Sequence, residues 1–385
     1  MADTPYDIPL SRPDITAHEV EAVLDVLKSA QLSLGPRLPE FERRFAARVG
    51  TSHAVAVSSG TAALHVCIRA LGIDEGDEVI TTPFSFVASS NCVMFERATP
   101  VFVDIDPVTL NIDPALVEAA VSPRTKALLP VHVFGMPADM GAIMAIATRH
   151  GLAVIEDACE AIGATVNDSC VASIGDCGVF GFYPNKQITT GEGGMLVTNR
   201  DDIAALALSL RNQGRDDGMT WLSHARLGYN YRISDINCAL GIAQLDRLDE
   251  ILAARARVAR WYDEELSARA PDVVRPCAAP DGYTRSWFVY VVQLPFGYTG
   301  DQRNELIMHL RALGIGCNQY FPCIHLQPFY REQFGFAPGD FPITEGVSQR
   351  SIALPFHNRL AEDDVAQVVS RLQQWLAKHS PANGA

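Results

Sequence analysis

The 385-residue sequence predicts an α/β protein: a large domain built on a mostly parallel seven-stranded sheet, then a smaller α+β domain. Three observations predict it. From residue 53 onward, short apolar runs alternate with loops and helical patterns. The polar residues of chemical interest follow directly on the ends of those runs, where ligands sit on parallel sheets. Past the Pro-, Ala- and Cys-rich stretch at 271–280 the pattern changes to one aromatic strand and a few helices. The expected partition is a large domain over 1–252 and a small one over 253–385, with that stretch near the junction.

Taken in order, residues 1–15 read as extended, with Pro9 and Pro13. Thr16 and Glu19 form a capping box that opens a helix with an apolar stripe of Val20, Val23, Leu24 and Leu27. Leu34-Gly35-Pro36 is a turn, and a second helix runs over 38–49. Strands are expected at 53–57, 78–82, 101–104, 127–133, 152–156, 179–182 and 195–198. Helices fill 62–71, the stretch up to about Glu96, and the stretch up to His150. A helix over 236–251 carries Leu240, Leu245 and Leu248, and 254–270 extend it or form its neighbour. The small domain holds a strand over 287–292, a helix over 302–313, a strand near Ile315 and a last helix with Val365, Val368, Val369, Leu372 and Trp375. The tail from His379 is expected to be disordered.

Composition bounds the function. Hydrophobic residues make up 48% and charged residues 20%, an ordinary globular balance. The formal net charge of -14, with no basic stripe, argues against a nucleic-acid partner. No apolar run is long enough to span a bilayer, and the first residues lack the pattern of a secretory signal. The nine cysteines are scattered without a C-x-x-C pair or metal-ligand spacing, so a reduced, cytoplasmic protein without a metal is expected.

The chemistry gathers around Phe180-Gly181-Phe182-Tyr183-Pro184-Asn185-Lys186, followed by Gly191-Glu192-Gly193-Gly194. An apolar flank desolvates an ammonium group and favours its neutral, nucleophilic form. Lys186 is therefore a candidate to hold a carbonyl cofactor as a Schiff base. A solvated lysine taken at random needs neither three aromatic neighbours before it nor three glycines within four positions of the turn that follows.

Other segments supply the remaining needs of such a site. Ser59-Gly60-Thr61-Ala62 joins a strand to a helix, so the Thr61 hydroxyl can cap the helix and the Thr61 and Ala62 amides can face a phosphate. Taken alone this is an ordinary N-cap. Phe86, after a strand end, can stack on a flat ring or pack in the core. Asp157 ends a strongly apolar strand, and a carboxylate there needs a cationic partner: a protonated pyridine nitrogen or an arginine. No dinucleotide fingerprint, P-loop, G-x-S-x-G or H-E-x-x-H is present.

Ser59-Gly60-Thr61-Ala62-Ala63-Leu64, Thr82-Pro83-Phe84-Ser85-Phe86-Val87-Ala88, Glu156-Asp157-Ala158, Tyr183-Pro184-Asn185-Lys186, Gly191-Glu192-Gly193-Gly194 and Gly228-Tyr229-Asn230-Tyr231-Arg232-Ile233-Ser234-Asp235 occur in this order. Together they resemble the DegT/DnrJ/EryC1/StrS family of pyridoxal-phosphate-dependent sugar aminotransferases, over about residues 8–376. The resemblance implies the aspartate-aminotransferase-like, type I fold and a homodimer with shared active sites. It implies that Lys186 forms the Schiff base with pyridoxal 5'-phosphate, Asp157 pairs with the ring nitrogen, and Phe86 stacks on the ring. Thr61 and Ala62 match phosphate contacts, and Asn230 and Arg232 match residues that reach the partner's site. His325 and Tyr183 are substrate-side candidates. Two departures from the family pattern stand out. Glu160 occupies a place often held by a glutamine beside the cofactor's hydroxyl. Gly181 stands where a phosphate-binding serine is common.

The implied activity is transfer of an amino group, with glutamate as donor, to a nucleotide-linked keto-deoxy sugar in polysaccharide, O-antigen or antibiotic-sugar biosynthesis. Amination of a free ketocyclitol and a non-catalytic regulatory protein of the same fold are the alternatives.

Overall fold

A computed structural model describes residues 6–381 apart from 217 and 221. Its centre is a seven-stranded sheet in the order His53–Val57, Gly194–Thr198, Cys177–Gly181, Ala153–Asp157, Thr125–Leu128, Glu78–Thr81 and Thr99–Phe102. The Gly194–Thr198 strand runs antiparallel to both neighbours, and the other pairings are parallel. The mostly parallel sheet expected from the alternation is therefore present. The strand expected over 127–133 stops at Leu128, close to Pro130, which has no amide to continue a ladder.

One face of the sheet packs on the helices Arg37–Val49 and Met140–His150, with Phe41, Phe45, Ile143 and Phe180 in its core. The opposite face packs on the buried helix Gly60–Ala70 and on Asp201–Arg211. The capping box at Thr16 is formed and starts the helix Ala17–Leu27. The apolar stripe of that helix is not core, however: Val20, Leu24 and Leu27 are exposed, as are Leu32 and Leu34 after it.

The helix expected over 236–251 is two helices, Asp235–Asp246 and Leu248–Arg269, broken at Arg247. The second helix joins two cores. Leu248 and Ile251 pack beneath the large sheet, whereas Val258, Ala259, Tyr262 and Leu266 pack with the C-terminal elements. Those elements are the antiparallel pair Tyr290–Gln293 and Ser351–Leu354 and the helices Gly300–Ala312, Pro342–Arg350 and Glu362–Leu376. Ile8 lies in the C-terminal core and bridges to Ile315, so the first described residues pack with the C-terminal elements rather than with the large sheet.

The tail expected to be disordered is held as far as it is described. His379 stacks on Trp375 at 4.1 Å, and Gln302 Nε2 donates to Ser380 O at 2.8 Å. Residues 382–385 lie outside the described residues, as do 1–5 of the stretch read as extended. Among the described residues, no helix is long and apolar enough to cross a membrane.

Candidate active site

Strand ends and the turns after them assemble the site, as the sheet topology requires. The strand Cys177–Gly181 leads into Phe182, whose amide donates to Gly193 O at 2.9 Å, while the Thr190 amide donates back to Phe182 O at 3.1 Å. This clamp closes the loop that carries Lys186, and the Lys186 amide donates to Tyr183 O at 2.9 Å.

Phe180 and Phe182 are buried against Phe45 and Phe41, at centroid distances of 5.1 and 5.6 Å. They anchor the loop in the core. The ring against the lysine comes instead from far along the chain: Lys186 Nζ lies 3.9 Å from the Phe288 centroid. Arg255, fully buried, donates to Lys186 O and to Phe288 O at 3.2 Å each, so one guanidinium fixes both segments. Burial without a carboxylate partner pushes Arg255 down to about 10.

Lys186 lines a cavity of about 700 Å³ with Ser59, Gly60, Thr61, Phe86, Ser89, Asp157, Glu160, Tyr183, Asn185, Phe288 and Tyr320. That volume lies within the roughly 300–1,000 Å³ typical of small-molecule sites. A smaller cavity of about 170 Å³ beyond Phe134 contains Arg285 and Trp287, but no lysine and no carboxylate lines it.

Asp157 is buried at its strand end. Its Oδ2 accepts from Ser89 Oγ at 2.7 Å and its Oδ1 from the Cys159 amide at 3.1 Å. These neutral donors, rather than an arginine, are its partners. The adjoining Glu156 turns the other way and accepts from the Ala172, Ile174 and Gly175 amides, which locks the strand end. Glu160 Oε2 accepts from the Phe134 amide at 2.9 Å, and its Oε1 lies 3.5 Å from Lys186 Nζ. Burial pushes the Glu160 carboxyl above the usual carboxylate range, and Lys186 pulls it the other way.

Phe86 is 63% exposed with its ring in the cavity wall, so the core-packing alternative does not hold. Tyr183 is exposed in the same wall. The cap of the Gly60–Ala70 helix is Ser59, not Thr61 as the sequence suggested: Ser59 Oγ accepts from the Ala62 amide at 3.1 Å. Ser59 and Thr61 carry equivalent hydroxyls, and only the backbone conformation selects between them. Ala62 therefore has its amide occupied, and its buried side chain does not line the cavity. The Gly60 and Thr61 amides, first in the helix, have no intrahelical acceptor.

Gly181 sits against Gly60 and Cys159. A Cβ at Gly181 would stand 3.4 Å from Cys159 Cβ and Sγ, and one at Gly60 would stand 2.8 Å from that sulfur. The thiol thus occupies the space beside the glycine that replaces the expected serine.

His325 does not reach the cavity. It is fully buried between Phe336 and Phe341, with Nε2 3.2 Å from Glu345 Oε1, and burial pushes it below its usual value. It is a core histidine of the C-terminal part and lies outside the Lys186 cavity of its own chain. Asn230 is exposed and Arg232 Nη1 donates to Asn212 Oδ1 at 3.1 Å, both away from the Lys186 cavity of their own chain. Sequence reasoning missed Ser89, Arg255, Phe288 and Tyr320. Of these only Ser89, near Phe86, had a local signal.

Comparison with known proteins identifies the family. The sequence pattern of the DegT/DnrJ/EryC1/StrS aminotransferase family matches residues 13–373. The chain is 42% identical to GDP-perosamine synthase of Caulobacter vibrioides, over 98% of this chain and all of that one. It is 40% identical to the spore coat polysaccharide biosynthesis protein SpsC of Bacillus subtilis, over 95% and 96% of the two chains. Among solved structures it is similar to S. venezuelae DesV in complex with a ketimine intermediate, with a TM-score of 0.87 and 35% identity over 93% and 94% of the chains.

Proposed function

The chain belongs to the DegT/DnrJ/EryC1/StrS aminotransferase family and is a pyridoxal-phosphate-dependent aminotransferase of the type I fold; from that premise we propose that it aminates a nucleotide-linked keto-deoxy sugar, with glutamate as donor. The observation that carries the site assignment is one cavity whose wall holds a lysine amine, a strand-end carboxylate and an exposed aromatic face. The sugar rests on the relatives, since GDP-perosamine synthase and SpsC are named for sugar and polysaccharide chemistry. The product belongs to polysaccharide or antibiotic-sugar biosynthesis, and the enzyme works in the cytoplasm.

The residues present fit the cofactor. The Gly60 and Thr61 amides at the positive end of a helix suit a phosphate. The Phe86 face suits a flat ring, and Asp157, held by neutral donors, keeps a charge free for the ring nitrogen's proton. Asn185 Oδ1, buried at the cavity without a partner, awaits a donor. Bound there, the cofactor supplies an electron sink for carbanion chemistry.

Lys186 Nζ would hold the cofactor covalently, and its free amine would be placed to take a proton from the donor's α-carbon and return one on the product side. Glu160 would meet the cofactor's hydroxyl side, and Tyr183, exposed in the cavity wall, would meet the substrate. Ordered release of the keto acid before the sugar enters gives ping-pong kinetics.

The site is shared in a homodimer. Asn230 and Arg232 serve the partner's phosphate, which agrees with their distance from the cavity of their own chain. Exposed Leu32 and Leu34 adjoin this segment, because the Asp235 amide donates to Leu32 O at 3.0 Å, and an apolar surface of this kind suits a second subunit.

The test loads the enzyme with glutamate and presents a panel of nucleotide-linked keto sugars together with a free ketocyclitol. Amine transfer to one or more of the sugars is expected. Transfer to the cyclitol alone overturns the substrate assignment.

A further inference from the structure

Two carboxylates line the Lys186 cavity, and they are held differently. Both Asp157 oxygens are occupied by neutral donors, Ser89 Oγ and the Cys159 amide. Glu160 spends only Oε2 on a neutral donor, the Phe134 amide, and Oε1 is turned to Lys186 Nζ at 3.5 Å. An acceptor for the Phe134 amide needs one oxygen, and a glutamine would serve as well. The second oxygen, carrying charge beside the amine, is what a carboxylate adds. An ammonium group must lose a proton before it can act as a nucleophile.

We propose that Glu160 is the proton acceptor for Lys186: Oε1 takes a proton from the Nζ ammonium, leaving the neutral amine that attacks the cofactor's aldehyde. This rests on the reading that Lys186 carries the cofactor. An N–H bond breaks and an O–H bond forms. The attack forms the N–C bond; the former aldehyde oxygen then takes one proton from the attacking nitrogen and one back from Glu160, and leaves as water as its C–O bond breaks, so Glu160 ends as it began and nothing is oxidised or reduced.

The surroundings suit a group that must both take and give a proton. Burial and the nearby Asp157 favour the protonated carboxyl, while Lys186 and the Phe134 amide favour the charged one. Cys159, on the same turn, is pushed up by burial and by Asp157, and Tyr320, facing Glu160 from the C-terminal part, is pushed up by burial and by Glu160 itself. Both stay neutral near pH 7, so Lys186 and Asp157 are the charges that set Glu160.

The experiment follows pyridoxal phosphate uptake by the cofactor-free chain. The rate of the visible absorbance is measured against pH, and the product is fixed with borohydride and mapped by mass. Glu160→Gln keeps the side-chain shape and the Phe134 contact but cannot accept the proton. Uptake is expected to slow at least about tenfold, the low end of general acid–base effects, and to lose the acidic limb of its pH profile. The label still reaches Lys186. Wild-type rate and pH profile in Glu160→Gln, with the label on Lys186, overturn the proposal alone. A label on another residue overturns the assignment of Lys186 instead. Should Glu160→Gln not fold, Glu160→Asp is expected to keep the acidic limb at a reduced rate, and a wild-type profile with no acidic limb overturns the proposal.

Discussion

Gly194→Ala tests whether the glycine turn after Lys186 builds the site or merely lets the chain bend. Gly194 pairs with Val57 on one side and Gly181 on the other, inside the sheet. A Cβ there would stand 2.4 Å from Ser59 C and O and 2.6 Å from Gly60 N. These are backbone atoms, so no rotamer change relieves the clash, and the Ser59–Gly60 turn must retreat by about 1 Å to reach ordinary contact. Overpacking in a tight core costs about 1–3 kcal/mol, and a backbone-to-backbone clash belongs at the upper end, about 3 kcal/mol. The turn that moves is the helix N-terminus assigned to the phosphate, so cofactor Kd is expected to rise at least about tenfold, equivalent to about 1.4 kcal/mol. Gly346 is the control. It lies inside the helix Pro342–Arg350 and a Cβ there meets nothing within 4 Å, so Gly346→Ala should gain up to about 1 kcal/mol from helix propensity. Urea midpoints of the cofactor-free chains and titration of the visible absorbance with pyridoxal phosphate measure both effects. Unchanged cofactor affinity in Gly194→Ala, or equal damage from Gly346→Ala, would refute the reasoning.

Three further outcomes are expected. His357 is buried with both ring nitrogens unpartnered, and burial together with Arg255 pushes it down to about 4 from 6.5. The unfolded chain then carries the extra proton between these values, so stability falls by up to about 3 kcal/mol as pH drops through that window. His357→Gln should flatten this limb in unfolding midpoints measured from pH 7 to 4. His325→Phe should cost about 1–2 kcal/mol of stability through the lost Glu345 contact and leave the KM of the sugar within about twofold of wild type; a tenfold KM increase would return His325 to the substrate site. Mixing inactive Lys186→Ala and Arg232→Ala chains should restore about a quarter of wild-type activity, because half of the dimers then carry one intact shared site. No recovery after verified subunit exchange would separate Arg232 from the partner's site.

What could be read in the sequence was local. Lys186 announced itself through its immediate neighbours, and Asp157 through the apolar strand it ends. The sheet emerged because each strand is a contiguous apolar run. Misreadings arose where chemistry alone does not choose. Ser59 and Thr61 can both cap a helix, and the backbone decides for Ser59. Phe180 and Phe182 looked like the desolvating wall of Lys186, but successive side chains of an extended segment face what the sheet packing dictates, and theirs is the core. His325 stands between Ile324 and Leu326, and Phe336 and Phe341 enclose it. Phe288 and Arg255 lie about 70 to 100 residues from the lysine they contact; such long-range partners leave no periodic trace in a single sequence.

The account turns on Lys186 as the residue that holds the cofactor. The direct measurement is to add pyridoxal phosphate to the purified chain, reduce with borohydride, digest, and locate the added pyridoxyl mass. The prediction is one label per chain, on Lys186, with visible absorbance before reduction and neither signal in Lys186→Ala. A label on another lysine, or no visible absorbance and no covalent label in the wild-type chain, would contradict it.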